Sequence, residues 1–210
     1  MVLNHIQRYR PLRGGIMMLV EGVNELGTIG ATATSNGQDR WALTACHIVT
    51  PAGLLPIDGR RVFQPDATTP QNAIGTTIGA KSDPRLDVAA VLIDTGIAAV
   101  GEILGLPLAG PAGAAVPGMR VVKAGRKTGV TEGEVTQVSR DRIVIEPPQR
   151  FPVFYELSER GDSGAIWVEK NSGVPIGLHR QGSTTGAEFA VATPLLTALA
   201  QFGLRLLLPS

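Results

Sequence analysis

The sequence predicts an all-β protein, built from two small β-barrels and closed by one C-terminal helix. Short apolar runs alternate with clusters of glycine, asparagine, aspartate and proline, a pattern typical of β-sandwiches and β-barrels. The 210 residues include 26 glycines and 15 prolines without a collagen-like period, which indicates many tight turns. The segment PLLTALAQFGLRLL carries apolar residues at helical spacing, which predicts the helix.

The predicted strands fall into two groups. The first group includes GIMMLVEG, WALTACHIV and DVAAVLI, and the second includes MRVVKAG, DRIVIEP and GAIWVE. Between them, LGLPLAGPAGAAVPG has no clear periodicity and is predicted to be a linker. The predicted helix covers about 194–206 and starts at Pro194. The chain therefore divides into 1–13 (N-terminal arm), 14–103 (N-terminal barrel), 104–118 (linker) and 119–210 (C-terminal barrel with its helix).

The composition argues against several classes of function. Hydrophobic residues make up 43% and charged residues 18% of the chain, as in an ordinary globular protein. The net charge is +1, no basic run exceeds RYRPLR, and only 4% of residues are aromatic, so no nucleic-acid partner is expected. The most apolar stretch, residues 98–116, is interrupted by Glu102, prolines and glycines, so no membrane span is expected.

The single cysteine and the N-terminal residues together predict the cellular compartment of the protein. Cys46 is the only cysteine, so no internal disulfide can form, which favours a reducing compartment. The segment MVLNHIQRYRPLRGG lacks the apolar core of a signal peptide. We therefore expect a cytoplasmic protein.

The turn GDSG contains the residue that matters most for function, Ser163. Glycine, aspartate and serine are common in loops, so the turn alone does not decide between a plain loop and a presented nucleophile. A serine nucleophile needs an adjacent base, and the base needs a third group that holds its tautomer. His47 ends a strand and is the best-placed base, whereas His5 lies in the arm, which we expect to be loosely held. Asp87 opens an apolar run and fits either a turn residue or the orienting carboxylate.

Three segments in order, LTACHIV, LDVAAVLI and GDSGA, resemble the catalytic segments of the chymotrypsin/trypsin-like serine peptidases. The resemblance covers about residues 14 to 206 and implies two six-stranded β-barrels with the active site between them. It implies a trypsin-like serine endopeptidase that cleaves peptide or protein substrates through an acyl-enzyme, without metal or cofactor. His47 would be the base, Asp87 its orienting group and Ser163 the nucleophile. The N–H groups of Gly161 and Ser163 would form the oxyanion hole.

The chain departs from the family near two of these segments. Extracellular members usually have a cysteine after the histidine, where this chain has Ile48, so we expect Cys46 to be a small buried strand residue. Asp162 needs a partner, because an unpaired buried carboxylate is costly and the chain has no Ile-Val-Gly-Gly segment to provide an amino group. The segment VVKAGRKTGVTEGEV resembles one in alpha-lytic and streptogrisin-type peptidases, where an arginine at the position of Lys123 pairs with that aspartate. We expect Lys123 to pair with Asp162; the alternative is a solvated lysine.

The resemblance also bears on the substrate. Leu157 stands where trypsin-type members have an acidic residue, so a preference for Arg or Lys is not expected. The segment GLHRQG resembles the Gly-x-His segment of glutamyl endopeptidases and picornavirus-type proteases, whose histidine reads Glu or Gln before the scissile bond. His179, helped by the Ser158 hydroxyl, therefore predicts a preference for Glu or Gln; the alternative is a strand histidine satisfied by backbone.

The strand after His179 is expected to hold the substrate as an added strand. Its residues Arg180, Gln181 and Gly182 would contact the peptide, and the first two side chains would tune which peptides fit.

Two other functions remain open from the sequence. The chain could be a non-catalytic or conditionally activated peptide-binding domain on the same fold, with a collapsed loop around residues 158–162 in its resting state. It could also be a peptidase that cleaves one dedicated intracellular partner protein.

Overall fold

The structure, a computed structural model, describes residues 3–51, 54–56, 58–149, 155–183 and 188–209, and has the all-β architecture that the sequence predicts. The N-terminal strands are β1 (Leu12–Gly14), β2 (Ile16–Val20), β3 (Leu26–Ile29), β4 (Ala31–Thr34), β5 (Trp41–Thr44), β6 (Arg61–Phe63), β7 (Ala73–Asp83), β8 (Val88–Ile93) and β9 (Ala99–Ile103). The C-terminal strands are β10 (Arg120–Gly125), β11 (Gly129–Val138), β12 (Ile143–Glu146), β13 (Ile166–Glu169), β14 (Pro175–Gly182), β15 (Ala190–Pro194) and β16 (Arg205–Leu206). The helices are α1 (Cys46–Val49), a 3-10 turn (Pro70–Asn72) and α2 (Leu195–Phe202).

The C-terminal half forms a closed six-stranded barrel in the order β10-β11-β12-β15-β14-β13. Alternate residues of β11 point inward, so Thr131, Gly133 and Val135 are buried while their neighbours are not. The barrel interior is a separate apolar cluster around Trp167 and Ile145. The predicted six-stranded C-terminal barrel is therefore confirmed.

The N-terminal half forms a curled eight-stranded sheet, in place of a second closed six-stranded barrel. Its order is β16-β4-β5-β8-β7-β6-β2-β3. At one edge of the sheet, β16 pairs with β4, and β3 forms the other edge. The remaining two strands, β1 and β9, pair with each other in parallel outside this sheet.

Helix α2 begins after Pro194, as predicted, but ends at Phe202 and not near residue 206. Gly203 adopts the left-handed conformation, with φ 63° and ψ 37°, which ends the helix in a turn typical of glycine. The next residues then leave the helix to form β16. One face of α2 is buried against the larger of the two apolar clusters, to which the N-terminal sheet contributes most residues.

The N-terminal arm is held against the protein, so the expectation of a loose arm is wrong for its described residues. His5 is 7% exposed, its Nδ1 lies 2.6 Å from the Gly15 carbonyl oxygen, and its own carbonyl accepts from Met17 N–H. The connector after β9 forms no strand or helix between residues 107 and 119. The proposed division of the chain at this connector stays a prediction. Within the described ranges, no helix is both long enough and apolar enough to span a membrane.

The N-terminal sheet and the C-terminal barrel meet backbone to backbone at a glycine seam, defined here by Gly30 and Gly164. A Cβ on Gly30 would overlap the Gly164 carbonyl oxygen, and a Cβ on Gly164 would overlap atoms of Thr28 and Thr44. Thr28 N–H also donates to the Ser163 carbonyl oxygen at 2.9 Å. The seam therefore brings the turn that contains Ser163 against the strand that leads to His47.

Candidate active site

His47 and Asp87 are joined by two hydrogen bonds. His47 lies on the short helix α1, directly after β5, and Asp87 lies directly before β8, the neighbour of β5 in the sheet. The Asp87 carboxylate accepts from the His47 backbone N–H at 3.0 Å and contacts its Nδ1 at 2.8 Å. Because Nδ1 faces a carboxylate, it carries the ring proton, and Nε2 is left as the proton acceptor.

Asp87 is held in an uncommon backbone conformation. Its φ of 53° is positive, and it is the one described non-glycine residue with a positive φ. An aspartate at positive φ is a recurrent feature of sites that need a side chain aimed in one direction. The conformation aims both carboxylate oxygens at His47.

Ser163 follows a serine loop, defined here as residues 158–162, and precedes β13. Its carbonyl oxygen is held by Thr28, and the next residue, Gly164, donates its N–H to the His179 carbonyl at 2.8 Å. The side chain is partly exposed. In the part of the chain that the structure describes, no hydrogen bond joins the Ser163 hydroxyl to His47. The structure thus joins His47 to Asp87 by hydrogen bonds. It places the turn of Ser163 at the glycine seam, against the strand that leads to His47, without a hydrogen bond between the Ser163 hydroxyl and His47 in the described residues.

The serine loop has a conformation that only glycine adopts readily at one position. Gly161 has a φ of 112°, and its carbonyl oxygen accepts from the Thr28 hydroxyl at 2.9 Å. Asp162 N–H donates to the Glu159 carbonyl at 3.0 Å, which closes the turn. Among the described residues, the N–H groups of Gly161 and Ser163 have no hydrogen-bond partner.

Asp162 is fully buried and is bonded on both carboxylate oxygens. Lys123 Nζ lies 2.9 Å from Oδ2, and both side chains are 0% exposed. Thr128 Oγ1 and Glu159 N–H donate to Oδ2 at 2.6 and 3.1 Å. Lys127 N–H and Thr128 N–H donate to Oδ1 at 2.9 and 3.1 Å. The contact joins the two residues that the sequence paired, Lys123 and Asp162, and ties the serine loop to the turn after β10.

The ionisation of this pair follows from burial and charge. Burial alone would raise the pKa of Asp162, but Lys123 and the hydrogen bonds outweigh it and lower the pKa to about 2. Burial lowers the pKa of Lys123, and Asp162 opposes that change. The Lys123 ammonium also lies 5.7 Å from the centre of the Trp167 ring.

His179 is buried behind Ser163 and faces the barrel interior. It is 2% exposed, and its backbone N–H and carbonyl bond to Ala165 and Gly164. Trp167 Nε1 donates to His179 Nδ1 at 3.4 Å. Burial, and then the charge of Lys123, lower the pKa of His179 to about 3, so the ring is neutral at physiological pH.

Sequence reasoning missed one acidic residue near His179, Glu188. Its Oε1 accepts from the backbone N–H groups of Leu157 and Ser158 at 3.2 and 3.3 Å, and its Oε2 accepts from the Ser183 hydroxyl at 2.6 Å. The carboxylate therefore bridges the serine loop and the end of β14. No local motif marks Glu188 in the sequence, because its partners are distant in the chain.

Ser158 is also in this region, as the sequence predicted, but its hydroxyl is enclosed. Ser158 is 6% exposed, and its Oγ is buried with no hydrogen-bond partner in the described residues. It packs directly against the Cα of Gly182 on β14. Of the other two predicted contacts on β14, Gln181 is exposed and Arg180 is half-buried.

A small, mostly apolar cleft of about 180 Å³ lies beside His47. The residues that line it are Cys46, His47, Thr50, Pro51, Leu54, Pro84 and Asp87. Cys46 is buried, its sulfur lies 3.6 Å from the Thr50 hydroxyl, and burial raises the pKa of its thiol to about 11. A protonated buried thiol is unreactive, in line with the buried structural role expected for Cys46, but the residue begins helix α1 and does not lie on a strand as predicted.

Comparison with known proteins identifies the fold. Thermobifida fusca protease A is 22% identical, with a TM-score of 0.69 over 93% of this chain and 98% of its own. A glutamic acid specific serine protease, which uses a histidine triad in substrate binding, is also 22% identical, with a TM-score of 0.69 over 93% of this chain and 100% of its own. Alpha-lytic protease homolog N4 is 24% identical, with a TM-score of 0.66 over 92% of this chain and 98% of its own. No protein-family model and no curated protein matches the chain.

The chain therefore has the chymotrypsin-like fold of bacterial serine proteases. The fold-level resemblance that three short segments indicated is confirmed.

Proposed function

We propose that the protein is a serine endopeptidase that cleaves peptide bonds through an acyl-enzyme. The observation that carries the proposal is the His47–Asp87 pair, two hydrogen bonds of 2.8 and 3.0 Å, directly after the strand β5 that packs against the Ser163 turn at the glycine seam. The fold supports it, because the similar solved structures are serine proteases. Catalytic hydrogen bonds are often long or misaligned in unliganded sites, so a missing Ser163–His47 bond does not oppose the proposal.

The proposed mechanism assigns one role to each group. His47 Nε2 takes the proton of the Ser163 hydroxyl as its oxygen attacks the substrate carbonyl, and Asp87 stabilises the imidazolium that forms. The unpaired N–H groups of Gly161 and Ser163 receive the oxyanion. His47 then gives its proton to the leaving amine, and a water molecule repeats the sequence to release the acyl group.

Lys123 supports this site indirectly. Its ion pair with Asp162 fixes the residue between the two proposed oxyanion donors, Gly161 and Ser163. In this role Lys123 replaces a free amino group, so the serine loop needs no N-terminal cleavage to be held.

The test is the intact mass of the protein after treatment with a fluorophosphonate, with Ser163→Ala and His47→Ala as controls. A single adduct on the wild type that is absent from both variants supports the proposal. A folded wild-type protein that takes no adduct contradicts an assembled triad.

For specificity, the sequence predicts Glu or Gln before the scissile bond, and we propose Gln. A neutral His179 carries no positive charge that would favour a carboxylate over an amide, and the Glu188 carboxylate between the pocket walls would repel a carboxylate. Once a substrate parts the walls that touch at Ser158 and Gly182, an amide fits both polar partners, because its NH₂ can donate to Glu188 while its oxygen accepts from the Ser158 hydroxyl.

A peptide panel that differs only before the cleaved bond tests this preference. Wild type should cleave the Gln peptide faster than the Glu, Ala and Lys peptides, and Glu188→Gln should narrow the gap between Gln and Glu. Fastest cleavage of the Lys peptide would contradict the proposal and would mean that Glu188 selects a cation.

A second candidate function, a conditionally activated or non-catalytic peptide-binding domain, is favoured by one observation. The Ser158 hydroxyl packs against Gly182, so the two walls of the expected pocket touch. A partner that opens these walls, including a dedicated partner protein, would then control activity. Fluorophosphonate labelling that appears only after a peptide is added would favour conditional activation.

A further inference from the structure

Besides Lys123, which pairs with Asp162, three cationic side chains lie around the serine loop, and two of them are neutralised. Lys127 Nζ lies 3.2 Å from Glu159 Oε2, and Arg160 forms a two-point pair with Glu25, with Nε 3.0 Å from Oε2. The third, Arg126, has no ion pair and no side-chain hydrogen bond among the described residues. Its Nε is buried without a partner.

The position of Arg126 is fixed relative to the proposed oxyanion donors. Its backbone N–H donates to Thr28 Oγ1 at 3.1 Å, and the same hydroxyl donates to the Gly161 carbonyl at 2.9 Å. A Cβ placed on Gly161 would lie 2.7 Å from Arg126 Nε and 3.1 Å from its Cζ. The guanidinium therefore lies directly on the backbone of Gly161.

The topology assigns Arg126 to one side of the scissile bond. Strand β13, which follows Ser163, has β14 on one side and β10 on the other. A substrate that adds to β14 has the residues before its cleaved bond on that side. Arg126 directly follows β10, the other neighbour of β13, so in this binding mode it lies toward the residues after the bond. An open cleft of about 530 Å³ also lies beside Arg126, between the turn after β10 and residues 3–6 of the N-terminal arm.

We propose that Arg126 binds a substrate carboxylate on the leaving-group side of the cleaved bond, an inference that rests on the proposed peptidase activity. A guanidinium with a buried, unpaired N–H is costly, and a carboxylate supplies the charge-assisted bonds that it lacks. The carboxylate has two sources: an Asp or Glu side chain one or two residues after the bond, or the C-terminus of a short leaving peptide.

Matched fluorogenic peptides test this inference. They share every residue before the bond and carry either Asp and Glu or Asn and Gln at the two positions after it. A second pair ends at the second position after the bond, with a free carboxylate or an amide. Each is assayed with wild type, Arg126→Gln and the control Arg142→Gln, whose side chain is exposed on the β11–β12 turn.

The readout is the ratio of kcat/KM for the acidic and neutral member of each pair. This ratio is insensitive to a general loss of activity if Arg126→Gln disturbs the serine loop. Wild type and Arg142→Gln should prefer the acidic member at least about tenfold, and Arg126→Gln should bring the ratio close to one. The pair that shows the preference identifies the source of the carboxylate. An equal ratio in wild type and Arg126→Gln overturns the inference.

Peptide binding to an inactive variant tests this inference independently of the proposed peptidase activity. The same peptides are titrated against Ser163→Ala and the Ser163→Ala, Arg126→Gln double variant. If wild type neither cleaves nor accepts the fluorophosphonate, the peptidase proposal fails. An Arg126-dependent preference for the acidic peptides in binding still supports the carboxylate site, and equal binding overturns it.

Discussion

Asp162 illustrates, at the scale of single residues, how a fully buried charge is accommodated. Five donors meet its two oxygens, and one of them is the ammonium of Lys123. Such a pair adds little net stability compared with apolar residues of similar size, but loss of one partner is costly. What the pair adds is a fixed position for the residue next to Ser163.

Lys123→Met should destabilise the protein by about 3–5 kcal/mol, because it leaves Asp162 buried without its counter-charge. The free energy of unfolding from urea titration measures this effect. The double variant Lys123→Met, Asp162→Asn is the control, and it should recover part of the loss. Equal stability of wild type and Lys123→Met would argue that the carboxylate is reached by water.

Asp162 also predicts a pH dependence of stability. Its folded pKa is lowered to about 2, so its contribution is present above its unfolded pKa and is lost as pH falls through about 2. The free energy of unfolding of the wild type should therefore fall between about pH 4 and pH 2. The double variant without both charges should show a smaller fall. Parallel curves for the two proteins would assign the acid sensitivity to other carboxylates.

Asp87→Asn tests the proposed role of the pair with His47. The amide cannot stabilise the imidazolium and favours the wrong histidine tautomer, so kcat should fall on the order of 10⁴-fold. Peptide cleavage measures kcat, and the thermal midpoint reports whether the fold is retained. A fall of less than about tenfold in kcat would show that His47 does not depend on Asp87.

At the scale of elements, the serine loop is shaped by residues from three separate segments. The turn after β10 bonds Asp162, Thr28 on β3 bonds Gly161 and Ser163, and the loop itself closes through Glu159. The loop has little structure of its own, so its shape depends on both halves of the molecule.

Gly161→Ala should damage activity far more than stability. The residue has a φ of 112°, and the added methyl group would lie 2.7 Å from Arg126 Nε, so the loop must change shape. Loss of one oxyanion donor lowers kcat by about 10²–10³-fold. For each variant, the loss of kcat is compared with the change in the thermal midpoint. Gly110→Ala is the control for backbone strain, because Gly110 also has a positive φ but has nothing within 4 Å. Equal losses of kcat in the two variants would contradict the role of Gly161.

Some of these residues and elements could be predicted from the sequence and others could not, and the reason in each case is physical. His47, Asp87 and Ser163 lie in short segments with local patterns, so their positions close to strands could be predicted, although His47 lies on helix α1 and not on the strand itself. The end of α2 was placed too late, because apolar spacing continues past Gly203 while the backbone does not. Glu188 and Arg126 could not be assigned, since their surroundings come from distant parts of the chain. The catalytic roles and the cytoplasmic location stay predictions.

At the scale of the whole molecule, the glycine seam determines how closely the two sheets approach. Gly30 and Gly164 contact each other through backbone atoms, which leaves no room for a side chain. Any side chain at the seam would move His47 and Ser163 apart together with the sheets that carry them.

Gly30→Ala should therefore lower both stability and activity. The methyl group would overlap the Gly164 carbonyl oxygen, and overpacking of this kind costs about 1–3 kcal/mol. Urea titration and kcat/KM are measured on the same preparation. Gly59→Ala is the control for backbone strain without overlap, because Gly59 has a φ of 83° and nothing within 4 Å. A stable Gly30→Ala variant with full activity would mean that the seam can widen without consequence.

The pairing of β16 with β4 has a consequence for biosynthesis. The first half of the chain leaves the ribosome long before residues 205–206, so this edge of β4 stays unpaired until those residues have also been synthesised. Pairings between such distant segments form late, because a large loop must close before the contact is gained. We expect a nascent chain to carry all of His47, Asp87 and Ser163 before its N-terminal sheet is finished, so the candidate site would mature only after residues 205–206 have joined that sheet.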